Sequence, residues 1–212
     1  MSTGWGAPDT APTRLVLLRH GQTPLSVERR FAGRGDIPLT QDGHAQARAA
    51  ARRLAARPID AVVSSPLLRA TDTAARAAEA LGLPVEVDGG FVETDFGAWE
   101  GLTFAEARER EPGAVDRWLA DPEVGPPGGE SFAEVARRVG AARDALVERH
   151  RGRTVLLVTH VTPIKLTVQQ AMLAPLAALY RMHLDTACLT EVDVYSDGPM
   201  VVRSLNDTAH LD

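Results

Sequence analysis

Hydrophobic and polar positions fall into two kinds of segment along the chain. Residues 14–19 (RLVLLR), 59–64 (IDAVVS) and 153–159 (RTVLLVT) are short apolar runs without polar alternation. That is the pattern of strands buried on both faces, and residues 84–87 predict a shorter strand. Between the runs lie segments at helical period. Thr40 predicts an N-cap for a helix ending near Arg57, before Pro58. Ser65 as N-cap and Pro66 at the first helical position predict a second helix, running to Leu81 with Gly82 behind it. Thr162 and Pro163 repeat that pairing. Thr103 with Glu106, and Ser131 with Glu134, form capping boxes. The second box places Phe132, Val135, Ala136, Val139, Ala142 and Leu146 on one stripe. Polar loops follow the first strand (Gly33, Gly35, Pro38) and fill residues 121–130. Residues 188–195 and 200–205 flank Ser-Asp-Gly-Pro and predict a β-hairpin.

Strands alternating with helices predict an α/β fold of three layers, α/β/α, with a mostly parallel central sheet. Residues 103–150 carry no strand signal and read as a helical insertion within one domain, 14–212. Residues 1–13 read as a linker or disordered tail. No internal repeat is present.

Composition narrows the function classes. The 212 residues are 44% hydrophobic and 24% charged, ordinary for a globular chain. Net charge is −5, with 23 basic against 28 acidic residues, so no overall basic field offers itself to nucleic acid. Cys188 is the single cysteine, which excludes an intrachain disulfide and any cysteine-based metal centre. No His-x₃₋₅-His pair exists either, so no metal is expected. No apolar run approaches the ~18 residues that span a bilayer. The start carries no secretion signal, and a cytoplasmic location is the expectation. Lys165 is the only lysine.

Three polar clusters stand at the carboxyl ends of three predicted strands: Arg19-His20-Gly21-Gln22-Thr23, Ser64-Ser65-Pro66-Leu67-Leu68-Arg69, and Thr159-His160. Ligands of open α/β sheets bind at that edge, and helix amino ends there favour anions. Two arginines and two histidines at one edge suit a dianionic phosphate. A neutral imidazole attacks phosphorus well. Arginine forks hold the equatorial oxygens. A proton donor for the leaving alkoxide is still required, and residues 93–101 (ETDFGAWEG) offer Glu93, Asp95 and Glu100 without spacing choosing among them. Thr23 offers a hydroxyl to phosphate. Lys165, in a predicted first helical turn, reads as an exposed lysine or as a substrate contact. Phe91, Phe96, Trp99, Phe104 and Trp118 read either as a pocket lining or as a small core. His44, His150, His183 and His210 read as surface or packing residues.

The motifs LRHGQT, SSPLLRATDTA, ETDFGAWEG and VTH, in that order, resemble the histidine phosphatase superfamily, the phosphoglycerate mutase-like proteins, over nearly the whole chain. The resemblance implies the phosphoglycerate mutase-like fold and no cofactor. By its motifs His20 is the nucleophile, Arg19 and Arg69 are phosphate clamps, His160 is the second pocket histidine, and Glu93 gives and takes the proton. Arg19, Gln22, Thr23, Arg69, His160 and Val161 form the implied substrate-binding set. The ETDFGAWEGLT segment is similar to the phosphatase branch, with α-ribazole-5′-phosphate phosphatases of cobalamin synthesis nearest in pattern. The opening GWGAPDTAPTRLVLLRHGQT and the ending SLNDTAHL resemble the phosphatase domain of actinobacterial proteins that begin with a ribonuclease H domain. That implies a covalently fused ribonuclease H partner in the native chain.

The expectation is a phosphomonoesterase acting on a small phosphorylated metabolite through phosphohistidine, with no nucleic acid or membrane partner for this domain. The alternatives are a phosphoglycerate-type phosphomutase and a non-catalytic phospho-ligand-binding domain. Two positions depart from the pattern: Leu25-Ser26 stands where the family often has Trp-Asn, and Val161 where a glycine is usual.

Overall fold

The computed structural model describes residues 11–211, so the expectation for 1–13 lies largely outside the described residues. In chain order the elements are β1 (Thr13–Arg19), α1 (Pro24–Val27), α2 (Gln41–Leu54), β2 (Ala61–Ser64), α3 (Leu68–Leu81) and β3 (Val85–Val87). There follow α4 (Phe104–Arg110), α5 (Ala114–Ala120), α6 (Phe132–Arg149), β4 (Thr154–Thr159), α7 (Val161–Ala171), β5 (Leu189–Val194) and β6 (Met200–Asp207). The strands form one sheet in the order β3-β2-β4-β1-β5-β6. β1, β2, β3 and β4 pair in parallel, and β5 and β6 add the expected antiparallel hairpin at one edge. This is the three-layer, mostly parallel α/β architecture that the apolar runs predict.

Side chains alternate across the sheet as a period of two requires. Leu15, Leu17, Val63, Val155 and Leu157 face one layer and pack with Leu146, Ile164 and Val168 from α6 and α7. Val16, Leu18, Val62, Leu156 and Val158 face the other, against Ala50 and Leu54 of α2 and Ala70, Ala74, Ala77 and Ala78 of α3. Alanine-rich faces let those two helices lie close on the strands. A third cluster, rich in aromatics, lies under α4, α5 and the amino half of α6: Phe31, Phe96, Trp99, Trp118 and Phe132. Within the stretch 103–150, then, α4 and α5 cover the aromatics, while α6 reaches the sheet core through Leu146.

Three helix boundaries differ from the sequence expectation. α3 starts at Leu68 rather than Pro66, because its cap comes from outside: Asp36 accepts the Leu68 N–H at 2.7 Å. Ser65, expected as the cap, accepts the Leu67 N–H only at a long 3.4 Å and meets His160 Nε2 at 2.7 Å. α7 starts at Val161 rather than Pro163, and the Thr162 N–H goes to the Glu93 carboxylate. α2 stops at Leu54, short of 57. The four-residue α1 was not expected; Thr23 and Ser26 close it as a capping box. Among the described residues no helix is long and apolar enough to cross a membrane.

Candidate active site

The carboxyl ends of β1, β2 and β4 meet at the middle of the sheet, and the three polar clusters meet there. His20 continues the ladder beyond β1: its N–H donates to the Thr159 carbonyl at 3.0 Å, and its carbonyl accepts from Ala187 at 3.1 Å. The amino end of α2 crosses the next residues at close range. A Cβ on Gly21 would lie 2.5 Å from the Gly43 carbonyl oxygen, and one on Gly43 would lie 2.1 Å from that of Gln22. Both positions therefore exclude a side chain, and the contact fixes the turn that presents His20.

The proton on His20 follows from its partner. Nδ1 lies 2.8 Å from the Gly21 carbonyl, which can only accept. Nδ1 therefore carries the hydrogen in the neutral ring, and Nε2 keeps a lone pair. Burial pushes His20 well below the ordinary imidazole value. The charges of Arg19 and Arg69 push the same way, against the Gly21 hydrogen bond. His160 is lowered likewise, first by burial and then by His20, Arg69 and Arg19. The ring centroids of the two histidines are 5.2 Å apart.

Arg69 is fully buried in the first turn of α3. Its Nη1 donates to Gly35 O at 2.8 Å, and its Nη2 to Gly33 O at 2.7 Å and Ala32 O at 3.1 Å. Those carbonyls are aimed by Glu100, whose carboxylate accepts the N–H of Gly33 at 3.0 Å and of Arg34 at 2.8 Å. Arg19 donates from Nη1 to Leu184 O at 2.6 Å. The Nε of Arg19, the Nε of Arg69 and the Nδ1 of His160 are buried with no hydrogen-bond partner among the described residues. His160 Nε2 meets the Ser65 hydroxyl at 2.7 Å. If that hydroxyl donates, Nδ1 carries the His160 hydrogen.

Glu93 is buried, with the Thr94 N–H on Oε1 at 2.8 Å and the Thr162 N–H 3.3 Å from both oxygens. Its segment hangs on Arg138 of α6, which donates to the carbonyls of Gly90 at 2.9 Å and Val92 at 3.0 Å. Arg138 is itself paired with Glu130 at 2.9 Å. Of the three carboxylates in 93–101, Glu93 lines the central cavity. Asp95 caps the Gly97 N–H at 2.8 Å, and Glu100 is committed to the loop under Arg69.

The cavity has a volume of about 290 Å³. Arg19, His20, Glu93 and Thr162 form its polar end, and Phe31, Phe96, Phe104, Trp118 and Phe132 face the other. Thr23, Ser26, Val161 and Lys165 also line it. The Thr23 oxygen accepts the Ser26 N–H at 3.2 Å, and the Ser26 hydroxyl is bound back to Thr23 O at 2.8 Å. Gln22 stands apart. Its side-chain oxygen accepts the Thr40 hydroxyl at 2.8 Å, and it lines an adjoining groove of about 420 Å³ with Arg19 and Ser26. Phe91 and Trp99 are core residues, not lining. No cluster of three or more His, Cys, Asp or Glu able to hold a metal occurs among the described residues.

Sequence reasoning did not find Arg138, nor the part Ser65 plays. Arg138 gave no local signal, since the carbonyls it holds are 46 and 48 residues away. The Ser-Pro pair that read as a helix cap was a signal for a polar residue at a strand end, and could have been read so.

A family model described as histidine phosphatase superfamily (branch 1) matches residues 15–208. The bifunctional protein Rv2228c of Mycobacterium tuberculosis (strain ATCC 25618 / H37Rv) is 55% identical over 211 residues, 99% of this chain and 58% of that protein. The chain thus spans 58% of that relative's length. Phosphoserine phosphatase 1 of Hydrogenobacter thermophilus (strain DSM 6534 / IAM 12695 / TK-6) is 31% identical over 199 residues, 93% of this chain and 94% of the relative. Among solved structures, the mycobacterial glucosyl-3-phosphoglycerate phosphatase Rv2419c in complex with VO3 superimposes with a TM-score of 0.85 at 35% identity. That superposition covers 92% of this chain and all of the other.

Proposed function

The chain belongs to branch 1 of the histidine phosphatase superfamily, and we propose that it is a phosphomonoesterase working through a phosphohistidine at His20. One observation carries the reading. Three buried nitrogens without partners, Arg19 Nε, Arg69 Nε and His160 Nδ1 (a donor when the Ser65 hydroxyl donates to His160 Nε2), accompany a histidine whose Nε2 lone pair is free. Burying such donors unpaired is costly, and the oxygens of a phosphoryl group would pair all three.

The chemistry divides into two displacements. In the first, the His20 Nε2 lone pair attacks phosphorus of a monoester dianion. The N–P bond forms, the P–O bond to the alcohol breaks, and Glu93 gives its proton to the departing oxygen. The positive charge that develops on the imidazole is met by the Gly21 carbonyl at Nδ1. In the second, water attacks phosphorus, Glu93 takes a proton from it, and the N–P bond breaks to return neutral His20. Arg19 and Arg69 match the two negative charges of the phosphoryl group throughout. The amino end of α7, reached by Val161, adds its dipole. With that charge supplied by arginine, activity is expected to persist in EDTA; a loss restored by Mg²⁺ or Zn²⁺ would place the reaction in another class.

The readings divide over the alcohol half. α-Ribazole 5′-phosphate, suggested by motif resemblance, would lay a flat, uncharged base against the aromatic wall and is the test case for a neutral leaving group. A second domain fused to the native chain is supported by a 55% identical relative described as bifunctional; that it is a ribonuclease H domain rests on the motif resemblance alone. A phosphomutase would hold the same phosphohistidine but return the phosphoryl group to a second alcohol.

The test is His20→Ala with phosphoenzyme trapping. The unmodified protein should hydrolyse a panel of phosphate esters and yield an acid-labile phosphoenzyme, and His20→Ala should lose both. Substantial turnover by His20→Ala would overturn the mechanism. Slow hydrolysis of the phosphoenzyme in water, with fast transfer to added alcohol, would favour the mutase.

A further inference from the structure

Lys165 is the one lysine of the chain, and it lines the cavity rather than the outer surface. α7 places it four residues beyond Val161 and three beyond Thr162, on the helix face that both present to the site. Its ammonium has no hydrogen bond or ion pair with any described residue. Glu93, the acid nearest in charge, spends its oxygens on the backbone N–H groups of Thr94 and Thr162. The other cation toward the aromatic wall, Arg30, is already neutralised by Glu28 and Glu106, each at 2.6 Å.

Charge balance shows what is missing. Arg19 and Arg69 match the two charges of a phosphate monoester. Glu93 must carry a proton to serve as the acid, so in that state it offers Lys165 no counter-charge. A half-buried ammonium in the cavity that the catalytic residues share with Phe and Trp side chains then stands uncompensated. Burial lowers its proton affinity, which fits that setting.

Resting on the phosphatase reading, we infer that Lys165 is a specificity-determining residue that takes a negatively charged group, a carboxylate, carried on the alcohol half of the substrate. The preferred substrates are then phosphate monoesters of hydroxy acids with an apolar or aromatic body. α-Ribazole 5′-phosphate, neutral in its alcohol half, ranks behind them.

The test compares 4-carboxyphenyl phosphate with 4-carbamoylphenyl phosphate, esters of nearly the same shape that differ in one charge. The unmodified protein should favour the carboxylate in kcat/KM by about tenfold or more, the scale of a close, partly desolvated charge pair. In Lys165→Met that ratio should fall to about one, and Lys165→Arg should keep most of it. No preference in the unmodified protein, or an equal loss on both esters in Lys165→Met, overturns the assignment. Failure of the phosphatase reading looks different: neither ester is turned over and no phosphohistidine forms. The ratio is then read from the dissociation constants of the two esters, and the same collapse in Lys165→Met decides.

Discussion

Glu93 must give a proton in one half of the reaction and take one in the other, so its contribution depends on what leaves. An alkyl oxygen departs poorly without a proton. In Glu93→Gln, phosphorylation of His20 by an alkyl ester should slow by roughly 10²–10⁴-fold. p-Nitrophenyl phosphate leaves as a stabilised phenolate, and its phosphorylation step should suffer far less. Because water attack also uses Glu93, steady-state turnover mixes the two steps, and the comparison belongs to the single-turnover burst. Equal burst losses on both esters would remove Glu93 from the acid role. Asp95 and Glu100 are poor replacements, since one caps Gly97 and the other holds the loop beneath Arg69.

At the scale of elements, α3 shows how a helix and a binding residue share one support. Its N-cap residue, Leu67, has no side chain able to cap, and Asp36 supplies the acceptor from the preceding loop. That loop also carries Ala32, Gly33 and Gly35, whose carbonyls hold Arg69. Asp36→Ala should cost about 1 kcal/mol, the usual worth of a cap, and lower Tm by roughly 2–4 °C in a chain of this size. It should also raise KM, while His20 is still phosphorylated. Asp36→Asn, which can still accept, should restore most of both. Melting curves and steady-state kinetics on the pair check this, and an unchanged KM would disconnect the loop from the clamp. The same helix shows why some boundaries were legible and others were not. Thr40, Thr103 and Ser131 cap their helices from the adjacent residue, so a local pattern reveals them. α3 and α7 are fixed by Asp36 and Glu93, 32 and 69 residues away, which no local pattern can show. The strands were readable because both faces are buried and apolar runs admit few alternatives. The phosphate end was readable because each motif sits at a strand end. The supports under it, Ser65 to His160 and Arg138 to the Glu93 segment, depend on pairings the chain makes only once folded.

At the scale of the whole molecule, two neutral histidines buried at the centre of the sheet tie stability to pH. His20 and His160 both lie well below the ordinary value of 6.5 in the folded chain, through burial first, and return to it on unfolding. Below pH 6.5 the unfolded chain therefore takes up protons that the folded chain refuses. Stability rises with pH wherever the unfolded state binds more protons, so here it falls as pH drops through 6.5 and keeps falling toward the folded values. Each histidine contributes on the order of 1 kcal/mol per pH unit once fully titrating. His210, lowered more mildly by burial, adds in the same direction. The carboxylates held low, Glu130 through Arg138 and Asp185 through Asn206, act in a separate window: they lose stabilisation only as pH falls below the ordinary carboxylate range. The interval from about pH 6.5 to about pH 5 thus isolates the histidines. Because His20 stays neutral there, the rate of its phosphorylation should not fall with an apparent pKa near 6.5, and activity should persist on the acidic side until the fold gives way. Urea unfolding at steps between about pH 7.5 and about pH 5 should show a midpoint that falls steeply below 6.5. His160→Gln should remove about one proton from that slope, after any shift in stability at neutral pH is subtracted. A midpoint flat across the interval, or a slope unchanged in His160→Gln, would show that the folded chain admits protons to its centre, and with them a charged His20 unable to attack phosphorus.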